Sequence, residues 1–299
     1  MPHTTFTTTT RGLRRDTPPM LLFERAKRFG VWNPSDLDLS QDKADWAKLS
    51  PEEKDIILRL TSMFVAGEEA VTLDLLPLIR VVANEGRTEE ELYLTTFLWE
   101  EAKHVDFFSR VLTEVCEAPA DLTVYQSPNY RRIVYEALPE ALCALEADSS
   151  PRVQARASAV YNMIVEGMLA ETGYHAYFTI MDRFGMMPGT REGVSKLKLD
   201  ESRHIAYGVY LLSRLMAEDP SVWPTVEATM NDLFPVGLGV VTDIFSHYDP
   251  PPFGVTQDEF LGYAASQFQK RFQRIQRARD LSLEQVNEET RAILDANDA

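Results

Sequence analysis

Apolar residues recur at helical spacing through most of the chain, and no segment sustains the alternation of a half-buried strand. Pro and Gly fall mainly between these periodic stretches, where they act as breakers. The pattern predicts a short helix over Met20–Phe29, stopped by Gly30, and then an extended connector over Val31–Leu49 that holds Trp32-Asn33-Pro34. Ser50-Pro51-Glu52-Glu53 is a strong start: Ser50 can cap, Pro51 suits the first turn and Glu53 completes a capping box. That helix is expected to reach about Glu85, with Pro77 as a kink and Gly86 as its stop.

Thr88 with Glu91 starts the next helix, which ends before Pro119. Ser127-Pro128 opens a shorter one that closes near Asp148-Ser149-Ser150-Pro151. A long helix follows to about Phe184, and the Gly185–Gly189 turn leads into another that ends before Pro220. Two further helices are expected over Ser221–His247 and Gln257–Arg277, divided by Pro250-Pro251-Pro252. Ser282–Asn297 reads as a final helix or a loose tail. The expected fold class is therefore all-α, in one domain without a linker.

Composition narrows the setting. With 299 residues, 44% of them apolar, the chain can bury a sizeable core. It has no apolar run long enough for a membrane span. Met1–Arg15 is Thr-rich and lacks the apolar block of a secretory signal, so a cytoplasmic location is expected. A net charge of −16 repels phosphate and excludes general nucleic-acid binding. The two cysteines, Cys116 and Cys143, imply no disulfide framework and fit a reducing compartment.

The chemistry enters with a doubled motif. Glu-x-x-His occurs at Glu101-Ala102-Lys103-His104 and again at Glu201-Ser202-Arg203-His204. Each copy follows a helix with a glutamate in an apolar stretch, Glu68 and Glu166. Residues i and i+3 share a helix face, so each motif offers one oxygen and one nitrogen ligand to one point. Four carboxylates and two imidazoles on four helices are the ligand set of a dinuclear site in a bundle. With one imidazole per metal, the set favours iron or manganese over zinc or copper. Glu69 and Glu171 remain rivals for the single-glutamate roles, because spacing does not exclude them. Of the other histidines, His3, His175 and His247, only His175 shares a helix with Glu166.

From about Met20 to Gln276 the chain resembles the ribonucleotide reductase small-subunit superfamily of ferritin-like metalloproteins. The resemblance rests on the ligand set, on Trp32-Asn33-Pro34 followed by Asp36, Asp38 and Ser40-Gln41-Asp42, and on Asp200 before Glu201. It implies a hydrogen-bonded chain of Trp32, Asp200 and His104. Ala66–Asp74, Glu101–His104, Tyr135–Ala141 and Val160–Gly167 are more closely similar to the small-subunit-like ligand-binding oxidases. That likeness implies a ferritin-like bundle over 20–280, between a flexible terminus at 1–19 and a helix or tail at 281–299.

The same likeness implies an O₂-activating oxidase with one Mn and one Fe per chain, di-iron being possible. Manganese would sit at Glu68, Glu101 and His104, and iron at Glu166, Glu201 and His204, with Glu101 able to bridge. It further implies a long-chain fatty acid bound at the metals, a homodimer, and an ether crosslink between Val71 and Tyr161. Val71 is i+3 from Glu68 and can face the site. Tyr161 is five residues before Glu166, so on an α-helix it faces elsewhere and at most borders the site. Met163, Met168, Leu169, Met181 and Met186 are candidates for an adaptable apolar lining.

Two other functions compete. A reductase small subunit in its common form has a tyrosine four residues after the first ligand histidine, where this chain has Phe108. Such subunits also use an aromatic relay in the C-terminal tail, and no Tyr or Trp follows Tyr263 here. Metal storage of the ferritin type is the second, and it fits poorly with the extra helices and the Trp-Asn-Pro connector.

Overall fold

The computed structural model describes residues 4–118 and 121–296, so residues 1–3, 119–120 and 297–299, Pro119 and Asn297 among them, lie outside it. Among the described residues every regular element is helical. Four long helical runs build the centre: Pro51–Asn84, Thr88–Arg110, the composite run from Pro151 to Phe184, and Pro188–Glu218. Short turns join the first to the second and the third to the fourth, so each pair is antiparallel. The Pro18–Phe29 helix packs on Thr88–Arg110 and Pro188–Glu218, while Trp223–Phe245 and Gln257–Arg277 cover the third run.

Local chemistry accounts for the boundaries. Ser50 Oγ accepts from the Glu53 amide and the Glu53 carboxylate accepts from the Ser50 amide, completing the expected capping box. Gly86 and Gly185 end their helices at positive φ, 71° and 59°. The Thr88–Arg110 helix starts where expected, but no side chain caps it, and Glu89, Glu90 and Glu91 complement the positive end of the helix dipole instead. Pro77 lies inside the continuous Pro51–Asn84 helix.

Three expectations change. The connector Val31–Leu49 is not extended throughout: it contains a 3₁₀ turn at Pro34–Asp36 and a helix at Ser40–Trp46. Buried Trp46 and Asp42 anchor that helix, and Asp42 accepts from the Gly189 amide at 2.9 Å and from the Thr190 amide at 2.5 Å. The first helix does end at Gly30, as expected, but the reason for the glycine differs, since its φ of −83° is one that any residue adopts. Its role is clearance, since a Cβ there would lie 2.1 Å from Glu100 Oε1. Third, the helix opened by Ser127 is broken into α, π and 3₁₀ pieces between Pro128 and Glu146.

Arg11 and the last described helix pack against the bundle. Arg11 donates to both oxygens of Glu89, at 2.7 and 3.0 Å. The Leu283–Ala296 helix buries Val286 and Leu294 in the main core. Among the described residues, no helix is long and apolar enough to cross a membrane.

Candidate metal centre

The four long runs bring all six expected ligands together. Glu68, Glu101, His104 and Glu201 form one group and Glu101, Glu166, Glu201 and His204 a second, with ligand atoms in each within 4.8 Å of one another. Glu101 and Glu201 belong to both, so either can bridge. All six side chains are buried. The rivals fall away: Glu69 is exposed, and Glu171 lies near Arg271 (4.0 Å) outside both groups. His175 stacks on Tyr263 with centroids 4.0 Å apart and is not part of either group, and His247 is exposed.

Both histidines turn the same ring edge inward. His104 Nδ1 lies 3.4 Å from Glu68, 3.5 Å from Glu101 and 3.4 Å from Glu201. His204 Nδ1 lies 3.2 Å from Glu101, 3.7 Å from Glu166 and 3.4 Å from Glu201. Both Nδ1 atoms, with Glu101 Oε2, Glu166 Oε1 and Glu201 Oε2, are buried without a hydrogen-bond partner. Converging orphaned acceptors of this kind are costly unless a cation meets them. The donor set therefore fits two hard or borderline metal ions.

The electrostatics point the same way. Burial pushes the Glu68 carboxyl up to about 8, with His104 pulling back. Burial and the neighbouring Glu201 raise Glu166 well above the carboxylate range. Burial also works to raise Glu101, but His204 and His104 hold it below that range. Burial opposes charging both imidazoles, yet the carboxylates around them raise their values well above normal. The cluster therefore favours protons that offset its carboxylate charge, and metal ions would displace those protons.

Behind the ligands the two motifs support each other crosswise. His104 Nε2 lies 3.3 Å from Asp200 Oδ2, and His204 Nε2 lies 2.9 Å from Glu100 Oε2. Asp200 precedes Glu201 and Glu100 precedes Glu101, so each motif supplies the acceptor for the other motif's histidine. Trp32 Nε1 donates to Asp200 at 2.8 Å, giving the chain of Trp32, Asp200 and His104 that the resemblance implied. Lys103 also binds Asp200 (3.0 Å), between the rings of Trp32 and Trp99. Arg203 joins Asp200 to Glu100. Sequence reasoning missed Glu100, Lys103 and Arg203. The signal was there, since both copies read acid-Glu-x-cation-His.

Tyr161 corrects the helical-wheel argument. Ala159–Ala170 is π-helical, with i→i+5 hydrogen bonding that sets residues five apart over one another. Tyr161 and Glu166 thus share a face, and the Tyr161 hydroxyl donates to Glu101 Oε1 at 3.1 Å. A second tyrosine went unnoticed. The buried Tyr174 hydroxyl lies 3.4 Å from Glu68 and 3.3 Å from Glu201, between two carboxylates of the first group.

An apolar cavity of about 130 Å³ reaches the ligands, with Glu68, Glu101, Glu166 and Glu201 at one end and Val71 on its wall. Of the five residues expected to line a channel, only Leu169 does so. Met163, Met168, Met181 and Met186 pack in the core instead, and Met63, Phe64, Val165 and Phe260 line the cavity.

The family model for the ribonucleotide reductase small chain matches residues 23–274. Among solved structures, an R2-like ligand-binding oxidase with aerobically reconstituted Mn/Fe cofactor is 41% identical, with TM-score 0.88, over 92% of this chain and 98% of that one. A tyrosine-to-phenylalanine variant of such an oxidase, also with an aerobically reconstituted Mn/Fe cofactor, is 40% identical, with TM-score 0.89, over 92% of this chain and 99% of that one. A glycine-to-leucine variant with anaerobically reconstituted Mn/Fe cofactor is 42% identical, with TM-score 0.87, over 92% and 98%. The chain belongs to the ribonucleotide reductase small-chain family, and within it to the R2-like ligand-binding oxidases, which are dinuclear-metal oxidoreductases.

Proposed function

We propose that this protein is an O₂-activating oxidase holding one Mn and one Fe. Manganese is assigned to Glu68, Glu101 and His104, and iron to Glu166, Glu201 and His204. The unit that carries this site is assigned to residues 20–280. The pair of metals would supply two electrons to O₂ and a centre able to oxidise an unactivated C–H bond. The protein's own contribution is geometry and dryness. Asp200 and Glu100 fix the two imidazoles, and the apolar cavity excludes water.

The assigned self-reaction joins Val71 Cβ to the Tyr161 oxygen. A C–H bond of Val71 and the O–H bond of Tyr161 break, the C–O bond forms, and two protons and two electrons pass to the reduction of O₂. Glu101, which accepts the Tyr161 hydrogen bond, is placed to receive the phenolic proton. The observation that carries this reading is that contact, together with Val71 on the wall of the cavity that reaches the same carboxylates.

A long-chain fatty acid is the proposed ligand, its chain in the apolar cavity and its carboxylate toward the metals. A homodimer and a cytoplasmic location complete the proposal. The experiment is intact and peptide mass after anaerobic loading with Mn(II) and Fe(II), with and without O₂, alongside metal counts. An O₂-dependent loss of two hydrogens in a linked Val71–Tyr161 peptide is expected. One Mn and one Fe without that loss would refute the crosslink.

A further inference from the structure

The apolar cavity runs away from the metal ligands along the Pro51–Asn84 helix. Of the residues of that helix that line it, Ile56 is the farthest from Glu68 on the N-terminal side, about 18 Å along the helix axis. Phe245, Val255 and Phe260 line the cavity too, and all three are buried. Phe245 ends one covering helix and Phe260 lies in the first turn of the other. Residues 246–256 connect the two, and their 3₁₀ turn at Pro252–Gly254 packs on the Pro51–Asn84 helix. This connection therefore lies over the end of the cavity that is remote from the metal ligands.

Two polar latches hold it down. The Tyr248 hydroxyl donates to Asp55, the residue before Ile56, at 2.5 Å and accepts from Arg59 Nε at 3.4 Å. Arg183, at the end of the third run, donates to the backbone oxygens of Phe253 and Gly254 at 3.1 and 3.0 Å. Between the latches the backbone is strained. Phe253 has φ 61°, in the left-handed region that a bulky residue rarely adopts, and its ring is buried against Phe184. Such strain persists only where surrounding contacts impose it, and it clusters at ligand clamps and switch segments. Releasing the latches relieves it, which makes opening less costly.

We infer that residues 246–256 are the gate of the cavity, latched by Tyr248 and Arg183, and that a long apolar chain enters and leaves where they lift. The inference rests on the cavity being the ligand's site, as proposed above, and assigns the way into it. A gate has a kinetic signature. The latch bonds are made whether the closed cavity is empty or filled, so weakening them favours opening equally in both states. Association and dissociation then quicken by the same factor and Kd stays the same. A substitution that merely damages the cavity wall acts on dissociation and weakens binding.

The test uses the full chain, stripped of co-purified lipid and loaded anaerobically with Mn(II) and Fe(II) so that no oxidation intervenes. The probe is cis-parinaric acid, a fluorescent long-chain fatty acid. Stopped-flow mixing reads its association, and a chase with excess hexadecanoic acid reads its dissociation. Tyr248→Phe and Arg183→Gln each remove one latch, and melting curves check that both fold. Each variant is expected to speed association and dissociation together, by about fivefold for the net worth of one hydrogen bond. Kd is expected to be unchanged. Rates equal to those of the native protein in both variants would show that the chain enters elsewhere and overturn the inference. Faster dissociation alone, with weaker binding, would make residues 246–256 a fixed wall and overturn it too. A native protein that takes up both metals but not the probe instead marks failure of the fatty-acid reading, and this inference falls with it.

Discussion

Asp200 and His104 come from different copies of the Glu-x-x-His motif, yet Asp200 Oδ2 lies 3.3 Å from His104 Nε2. Glu100 and His204 repeat the arrangement in reverse at 2.9 Å. Each half of the metal centre is therefore oriented by the residue that precedes a glutamate of the other motif. Asp200→Asn and Glu100→Gln should each lower metal affinity by about 10–100-fold. The loss should be larger in the half that holds His104 for Asp200→Asn, and in the half that holds His204 for Glu100→Gln. Chelator competition with both metals counted reads this, and equal losses in both halves from either variant would refute the crosswise assignment.

Glu68→Ala removes a carboxylate belonging to the first ligand group alone. Metal content should fall by one ion per chain and O₂-dependent oxidation should cease. Elemental analysis and mass spectrometry check both outcomes. Full activity in this variant would sink the ligand assignment.

Gly208 lies against the residue that holds Glu166. A Cβ at Gly208 would stand 2.2 Å from Asn162 Cβ, and Asn162 Nδ2 donates to Glu166 at 2.9 Å. Gly208→Ala should destabilise the fold by about 1–3 kcal/mol through overpacking. It should also reduce occupancy of the half that contains Glu166. Denaturant titration and metal counting test the two effects separately.

Arg11 makes one stability term depend on pH. Its side-chain hydrogen bonds hold the Glu89 carboxyl down to about 2. A depressed carboxyl stabilises the fold above its unfolded value, about 4.3, and the contribution is lost as pH falls through its folded value. Arg11→Ala should therefore lower the urea midpoint at neutral pH, and the gap to the native protein should close between roughly pH 4.5 and 2. A gap that stays constant over that range would show that the pair contributes no pH-linked stability.

Much of the architecture was legible in the chain because it is locally encoded. Ser50 and Glu53 cap a helix through residues three apart, Gly86 and Gly185 supply positive φ, and i,i+3 geometry places Glu101 beside His104 and Glu201 beside His204. Glu68 and Glu166 stood out as glutamates among apolar residues, where a charge needs a partner, but spacing left Glu69 and Glu171 open and the choice of Glu68 leaned partly on the resemblance. Glu68 could be separated from Glu69 only by which one faces inward, and that is set by packing.

What the tertiary structure decided involves either a break in helical periodicity or groups that meet from distant segments. The π-helical stretch turns Tyr161 toward the centre, a register that α-helical spacing cannot express. Tyr174 reaches Glu68 and Glu201 from a third helix, and Glu100 reaches His204 across the bundle. The cavity wall likewise depends on which apolar faces leave space between helices, so Met63 and Phe64 line it while Met163 and Met168 fill the core. Sequence determines which side chains and which local turns exist. Only the packed bundle fixes which of them meet in the dry interior, where an unpaired charge is costly enough to hold a metal.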